Sequence, residues 1–418
     1  MSYYDYGEIK NMYDTVINKD KKSFMTTNDE PTPIGCIEDM LSKVPHELWK
    51  RTDLKILDPC SGNGNFHIVC REMCMVYNTK SIQDIESDVL YFNDINTIRL
   101  QTVRENFPHS KHITCIDFTT YPDDIKFDMI VANPPYASLL PDGKRSSKNH
   151  NMIKIFLTKS LSLLKPGGYL VFITPDNWMS FADRNTIIQT LTSLQFHWLN
   201  VSAKKWFPKV GSSFTWYIIE NTPFYTGFDV EGVWKKESYS SHVRSEVRKF
   251  IPLFYNATVQ NIINKTIDNT IYPKIKIETS SDLHKFTKKK NISTVCDDIF
   301  IYKLIHTYKQ TVYANRKHKY QDGWKVFITT TDTYRTFIDE CGMTQSIAFV
   351  RCISEQEAKN IKKMLDHPLY VFLNNICRYG NFNNIRVLQN FPFPMNSEEI
   401  YTSFGISQEE ISYIEKWV

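Results

Sequence analysis

The sequence predicts an α/β protein, a parallel sheet with helices on both faces, followed by a C-terminal domain of different character. Three observations carry this prediction. Between residues 53 and 220, short β-branched or aromatic runs alternate with helix-length stretches. A glycine-containing loop follows the first of those runs and opens a helix-length stretch. Beyond Asn221-Thr222-Pro223 the alternation stops, and longer segments rich in Lys, Asn, Ile and Tyr take over.

Leu54–Leu57, Val89–Phe92, Ile113–Ile116, Phe127–Val131 and Tyr169–Ile173 read as strands, and Phe66–Tyr77 and Met152–Leu164 as helices. In a sheet wound this way, ligands bind at the carboxyl ends of the strands. At 418 residues the chain accommodates two domains, expected as 1–222 and 223–418. Hydrophobic residues at 42% and charged residues at 23% match ordinary globular chains, which argues against disorder and against a membrane bundle. The longest apolar runs, such as Tyr169–Thr174, are strand-sized.

Met1-Ser2-Tyr3-Tyr4-Asp5 lacks a basic region followed by an apolar one, so no secretory signal is read. The expected location is cytoplasmic, or nuclear or viral for a eukaryotic or viral source. The nine cysteines are scattered. Cys70 and Cys74 stand at helical spacing without histidine partners, so reduced thiols and no metal site are expected. Net charge is only +4, but residues 223–397 hold 25 Lys+Arg against 16 Asp+Glu, an excess of +9, which leaves −5 for the rest. A basic C-terminal half points to nucleic acid.

The loop Asp58-Pro59-Cys60-Ser61-Gly62-Asn63-Gly64-Asn65-Phe66 separates strand from helix. Glycines at 62 and 64 permit positive φ and close backbone approach to a ligand, and Asp58 can accept from a cationic or amino group. His67 stands where a dinucleotide fingerprint has its third glycine, which favours an amino-acid moiety over a phosphate. The next strands end in Asn93-Asp94-Ile95 and Asp117-Phe118. A carboxylate at the first of these ends suits ribose hydroxyls, and Asp117-Phe118 suits an adenine amino group and face.

The fourth strand runs into Asn133-Pro134-Pro135-Tyr136. Two prolines remove two backbone donors and fix the carbonyl directions. If the Asn133 side-chain oxygen and the Pro134 carbonyl each accept one N–H, a planar aromatic amine is drawn toward tetrahedral geometry and its lone pair is freed for attack on a methyl donor. Position and dipoles suffice for this, with no metal and no covalent nucleophile. Tyr136 would stack on a flipped base, with Phe207 on its other face. Core packing is the competing reading of Phe207, and Trp206 competes for the stacking role.

With these residues in place, the chain resembles the gamma-type (TaqI-like) adenine-N6 DNA methyltransferases over roughly residues 24–220. The match takes in Phe24, Thr32-Pro33-Ile34-Gly35, Asp58 to Phe66, Asp94-Ile95, Asp117-Phe118, Asn133 to Tyr136, Phe156-Leu157, and Leu164-Lys165-Pro166-Gly167-Gly168 before a strand and Thr174-Pro175. The resemblance implies a Rossmann-like methyltransferase sheet using S-adenosylmethionine, with a C-terminal target-recognition domain. It places Phe24, Thr32 and Pro33 near the methionine part of the cofactor. Asp58, Pro59, Cys60, Gly62, Gly64 and Phe66 form the loop around it. Asp94 and Ile95 fall at ribose and adenine, and Asp117, Phe118 and Phe156 at the adenine pocket. Cys60 lies within the cofactor loop, so it is not read as the nucleophile of a cytosine-C5 enzyme.

The expected partner is double-stranded DNA. The candidate contacts are Lys144, Arg145 and Lys148 in the segment after the catalytic turn, and the clusters Lys288-Lys289-Lys290 and Arg316-Lys317-His318-Lys319, with Trp324, Arg378 and Tyr379 nearby in sequence. A solvated lysine-rich face is the competing reading of either cluster. The chain is expected to act as a monomer without a membrane. The 23 residues before Phe24 are too few for a nuclease, so a cognate restriction endonuclease would be a separate chain. Methylation of protein glutamine, of adenine or guanine in RNA, or of cytosine N4 remain alternatives, as does a DNA-binding module that only senses the cofactor.

Overall fold

A computed structural model describes residues 5–20, 30–136, 151–181, 186–210, 213–244, 249–394 and 399–418. The chain divides into two compact units, Met1–Trp178 with Thr186–Arg248, and Met179–Asn185 with Lys249–Val418.

The first unit is built on one nine-stranded sheet. Its strands are β1 (Ile56–Asp58), β2 (Leu90–Asn93), β3 (His112–Thr114), β4 (Phe127–Ala132), β5 (Leu164–Pro175), β6 (Leu194–Asn200), β7 (Phe214–Pro223), β8 (Phe228–Trp234) and β9 (Glu237–Val243). They lie in the order β3-β2-β1-β4-β5-β7-β6-β8-β9. The pairs from β3 to β5 are parallel, and β7 runs antiparallel to both β5 and β6. β1, β2 and β4 are buried along their whole length, as central strands covered on both faces must be. Chain order reverses direction between β1 and β4, so the carboxyl ends of these two strands open the crevice where such sheets hold ligands.

Helices α1 (Tyr6–Thr15), α2 (Ile34–Leu41) and α3 (Asn65–Tyr77) belong to this unit. Ile34, Ile37, Met40 and Leu41 of α2 and Ile68, Val69, Cys70 and Cys74 of α3 enter one buried cluster with Ile56, Phe92, Met129 and Val131. Gly64 starts α3 at φ +90°, and a Cβ there would meet the Phe107 ring at 2.8 Å, so glycine is required on two counts. The expected boundary at 222/223 falls short of the observed one. β8 pairs in parallel with β6 and β9 pairs with β8, so backbone hydrogen bonding carries the first unit's sheet on to Val243. The two strands alternate more buried with more exposed residues, and they lack the βα rhythm that marks the earlier ones.

The second unit holds two four-stranded sheets. One has the order β10-β17-β14-β15, from Glu278–Thr279, Ile347–Arg351, Lys325–Thr329 and Thr336–Asp339. The other has the order β11-β13-β12-β16, from Ile292–Ser293, Gln310–Ala314, Tyr302–Thr307 and Gly342–Met343. Ile305, Phe327, Met343, Ile347 and Phe349 form the core joining them. Met179–Asn185 leaves the first unit's course to join this one, with the Ile251 N–H donating to the Met179 carbonyl at 2.9 Å. Among the described residues all nine cysteines are free thiols, five of them buried. None of the described helices is long and apolar enough to cross a membrane.

Candidate active site

The site begins where β1 ends. Asp58 is 1% exposed and accepts from the Cys60 N–H at 3.1 Å. Asp94, at the end of β2, accepts from the Gly62 N–H at 2.8 Å with one oxygen and from the Asn96 N–H at 2.8 Å with the other. Between them Asn93 acts as a staple. Its amide donates to the carbonyls of Pro59 (3.1 Å) and Ile116 (3.0 Å), and its own carbonyl accepts from the Ser61 N–H (2.8 Å). Three strand ends are thereby tied through one buried side chain.

The loop is braced from outside the sheet as well. Tyr13 of α1 is fully buried and donates to the Asn63 carbonyl at 2.8 Å, and α1 is fastened to α2 by Lys10 on Glu38 at 2.6 Å. His67, in the third-glycine position, places Nε2 2.8 Å from the Tyr91 carbonyl and sets its ring edge-on to Phe92 at 4.3 Å. Close packing of helix on strand is achieved there by a hydrogen-bonded ring instead of by a missing side chain.

Burial, with Asp94 nearby, pushes the Asp58 carboxyl well above the ordinary carboxylate range. Its protonated form is favoured in the fold, so its stabilising contribution is present at acid pH and is lost as pH rises through the raised value. Asp58→Asn is expected to raise the melting temperature of the ligand-free protein at pH 8 and to leave it nearly unchanged at pH 4. Thermal melts at both pH values check this, and a lowered melting temperature at pH 8 would contradict it.

The turn Asn133–Tyr136 is held by a residue far upstream. The Asn133 amide nitrogen donates to the Thr32 hydroxyl at 3.1 Å, which orients the amide and turns its oxygen the other way. That oxygen accepts from the Tyr136 hydroxyl at 2.5 Å. Thr32 is itself fixed, 3% exposed, with its carbonyl accepting from the Asn65 amide at 2.8 Å. The Cys60 thiol donates to the Asn133 carbonyl at 3.5 Å, which joins the turn to the cofactor loop. Asn133 and Tyr136 are half-buried, Pro134 is buried and Pro135 exposed. In sequence the Asn133 oxygen is expected to be open to an amine, whereas in the fold a phenol from the same turn occupies it.

Other expected residues are placed unevenly. Phe207 is 2% exposed, in the core cluster, 4.8 Å from Phe214, which in turn lies 5.9 Å from Tyr136. As placed, its ring packs in the core cluster, as the competing reading of this residue has it. Phe118 and Phe156 are buried against each other at 5.0 Å, and Ile95 is exposed. Asp117 is exposed and caps the following turn through the Thr119 N–H at 2.8 Å. Pro33 precedes α2 as its N-cap, and Phe66 is buried in the first turn of α3. Phe24, Lys144, Arg145 and Lys148 lie outside the described residues. The roles of Asn93 and Tyr13 were not foreseen. Asn93 carries no signal apart from its place beside Asp94, and Tyr13 lies in a helix too weakly patterned to stand out.

In the second unit the two basic clusters differ. Lys288, Lys289 and Lys290 are all exposed. Arg316 instead grips Asp282 at 2.8 Å, Lys317 pairs with Asp322 at 3.0 Å, and the Lys319 N–H donates to Asp282 at 2.9 Å. Much of the second cluster's charge is neutralised by neighbouring acids, which sequence spacing alone did not reveal.

Sheet order, a glycine loop after β1 and acidic strand ends define the class: the fold is a Rossmann-like methyltransferase sheet. More particularly, residues 63–207 match the Eco57I restriction-modification methylase family. A type II methyltransferase from Vibrio sp. (strain 343), M.VspI, is 26% identical over 170 residues, which are 37% of this chain and 39% of that protein. The human tRNA (cytosine(38)-C(5))-methyltransferase is 26% identical over 153 residues, 35% of this chain and 36% of that one. Among solved structures, the DrdV–DNA complex superposes over 99% of this chain and 60% of its own with a TM-score of 0.58 at 8% identity. The matched stretches thus cover well under half of the curated relatives' lengths.

The residues present fit the cofactor that this class implies. The Ser61 hydroxyl and the side-chain oxygens of Asn63 and Asn65 are buried with no hydrogen-bond partner among the described residues. Three unsatisfied polar atoms in five residues of a buried loop call for a polar ligand or ordered water. No group of His, Cys, Asp and Glu among the described residues could hold a metal ion.

Proposed function

We propose that this chain transfers a methyl group from S-adenosylmethionine to N6 of an adenine flipped out of duplex DNA. The observation that supports it most is the Asn133 amide, pinned at its nitrogen by Thr32 so that its oxygen faces a donor on the turn. A substrate amine replacing the Tyr136 hydroxyl would donate to that oxygen and to the Pro134 carbonyl. The two acceptors draw the amine nitrogen out of conjugation with its ring, and the rigid Pro134-Pro135 pair keeps them in register. Once the phenol is displaced, the Tyr136 ring is available to stack on the base. S-Adenosylmethionine, when bound, supplies the electrophilic methyl group.

Ser61, Asn63, Asn65 and Asp58 would hold the amino-acid end of the cofactor, and Asp94 and Ile95 its nucleoside. DNA as the substrate is supported by the likeness to restriction-modification methyltransferases and by the basic excess of residues 223–397. The relative that acts on cytosine C5 suggests a second chemistry, which requires a thiolate nucleophile. Cys60 is a poor candidate, because its thiol sits in the cofactor loop and donates to the Asn133 carbonyl.

The test is to incubate the protein with methyl-labelled S-adenosylmethionine and unmodified plasmid, then identify the modified nucleoside by mass spectrometry. N6-Methyladenine is expected. Methylcytosine of either kind, or label found only in RNA or protein, would overturn the assignment. Lys288, Lys289 and Lys290 are proposed to touch the phosphate backbone. Replacing all three by alanine is expected to flatten the slope of log affinity against log salt, by about 0.9 for each phosphate that is no longer neutralised. Fluorescence anisotropy with a labelled duplex over a salt series reads this, and an unchanged slope would place the DNA elsewhere.

A further inference from the structure

The second unit contains a cavity of about 240 Å³ that the reaction does not use, set between two hairpin turns. One turn joins β12 to β13 and contributes Tyr308 and Lys309. The other joins β14 to β15 and contributes the run Thr329-Thr330-Thr331-Asp332-Thr333. Thr331, Thr333 and Arg335 are exposed there, and the Arg335 guanidinium lies over the Tyr308 ring at 5.0 Å. Lys309 stands at the rim, 3.7 Å from Asp332. The space is small for a drug-sized metabolite, which ordinarily takes about 300 Å³ or more. Hydroxyls, a forked cation and an aromatic face around it suit the edge of a nucleotide.

The threonine turn is unusually well held for an exposed loop. Asp332 adopts φ +64°, a left-handed conformation that Asp tolerates better than most residues, and its carbonyl accepts from Arg378 at 2.6 Å. The Thr329 hydroxyl bridges the turn to the Thr333 carbonyl at 2.9 Å, and the Thr330 hydroxyl reaches the Ser346 carbonyl at 2.8 Å. From below, Asn383, 2% exposed, donates its amide to the Thr329 carbonyl (2.8 Å) and its N–H to the Thr330 carbonyl (3.0 Å). Asn374 in turn fixes Asn383 at 3.0 Å. A polar loop locked by a buried second layer of hydrogen bonds is what discrimination between base edges requires, since a loose one adapts to any sequence.

We propose that this turn is the base-reading element of the second unit, with Thr331, Thr333 and Arg335 directed at base edges of duplex DNA and Lys309 at the adjoining phosphate. The inference rests on the reading of the chain as a DNA methyltransferase, and binding is tested separately from chemistry. Wild type, Thr331→Ala/Thr333→Ala and Arg335→Ala are each used to enrich bound duplexes from a random-sequence pool, and to methylate a random-sequence library whose modified positions are mapped.

Wild type is expected to enrich one short sequence. The variants are expected to lose preference at one or more of its positions, with discrimination falling by about 10- to 100-fold for each base edge that is no longer read. Enrichment of the same sequence by all three proteins, even at lower overall affinity, would overturn the proposal, as would failure of the wild type to enrich any sequence. If wild type enriches a sequence that the variants do not, but methylates nothing, the base-reading role of the turn stands and the proposed reaction fails.

Discussion

Asn133→Ala is expected to slow single-turnover methyl transfer by about 10²- to 10³-fold, the usual effect of deleting one pre-aimed dipole from a reacting centre. Alanine removes the oxygen that would accept the amine N–H, yet it leaves Thr32, Cys60 and the loop they border. Affinity for S-adenosylmethionine, measured by calorimetry, is expected to stay within a few-fold of wild type. Equal losses in rate and in cofactor affinity would mean that Asn133 serves the cofactor pocket instead. Tyr136 supplies the companion experiment, because its hydroxyl occupies the acceptor that the substrate needs. Tyr136→Phe removes the competing donor and keeps the ring, so transfer is expected to persist at or above the wild-type rate. Tyr136→Ala also removes the stacking face, worth about 1–3 kcal/mol per base. Phe and Ala variants of equal activity would count against stacking.

Glu86→Ala should destabilise the first unit by about 3–5 kcal/mol, because it strands a cation in the interior. Arg71 on α3 and Glu86 on the π-helical turn Ile85–Val89 meet at 2.5 Å with side chains 4% and 1% exposed. Arg71 also donates to the Asn106 carbonyl at 3.0 Å and lies over the Phe107 ring at 4.7 Å, and Glu86 accepts from the His109 N–H at 3.1 Å. The pair therefore links the helix that follows the glycine loop to the segments on either side of β2. Urea denaturation followed by tryptophan fluorescence measures the loss. The joint replacement Arg71→Met with Glu86→Leu should recover most of it, since an apolar pair of similar volume has no charge to desolvate. A loss below about 1 kcal/mol for Glu86→Ala would show that water reaches the stranded guanidinium.

The parts of the site legible in the sequence are those fixed by backbone chemistry. Gly62 and Gly64 announce their positive φ, the prolines at 134 and 135 announce a rigid turn, and buried parallel strands announce themselves as β-branched runs. Their neighbours could not be read in this way. Thr32 and Asn133 stand 101 residues apart, and Tyr13 and Asn63 stand 50 apart, with no periodicity relating either pair. Phe207 shows the ambiguity of an aromatic in a loop, where burial and stacking demand the same side chain. In this conformation it packs against Phe214.

By itself the sequence determined the α/β class, the order of the loop, acidic strand ends and proline turn, and the basic bias of the C-terminal half, because each depends on local conformational preference or on summed charge. Tertiary structure alone decided that β8 and β9 complete the first sheet, that Asp282 and Asp322 neutralise one basic cluster while Lys288–Lys290 stay exposed, and that the Asn133 oxygen is held by Tyr136. Those outcomes are hydrogen bonds and ion pairs between residues distant in the chain, whose partners are chosen by the fold and not by spacing.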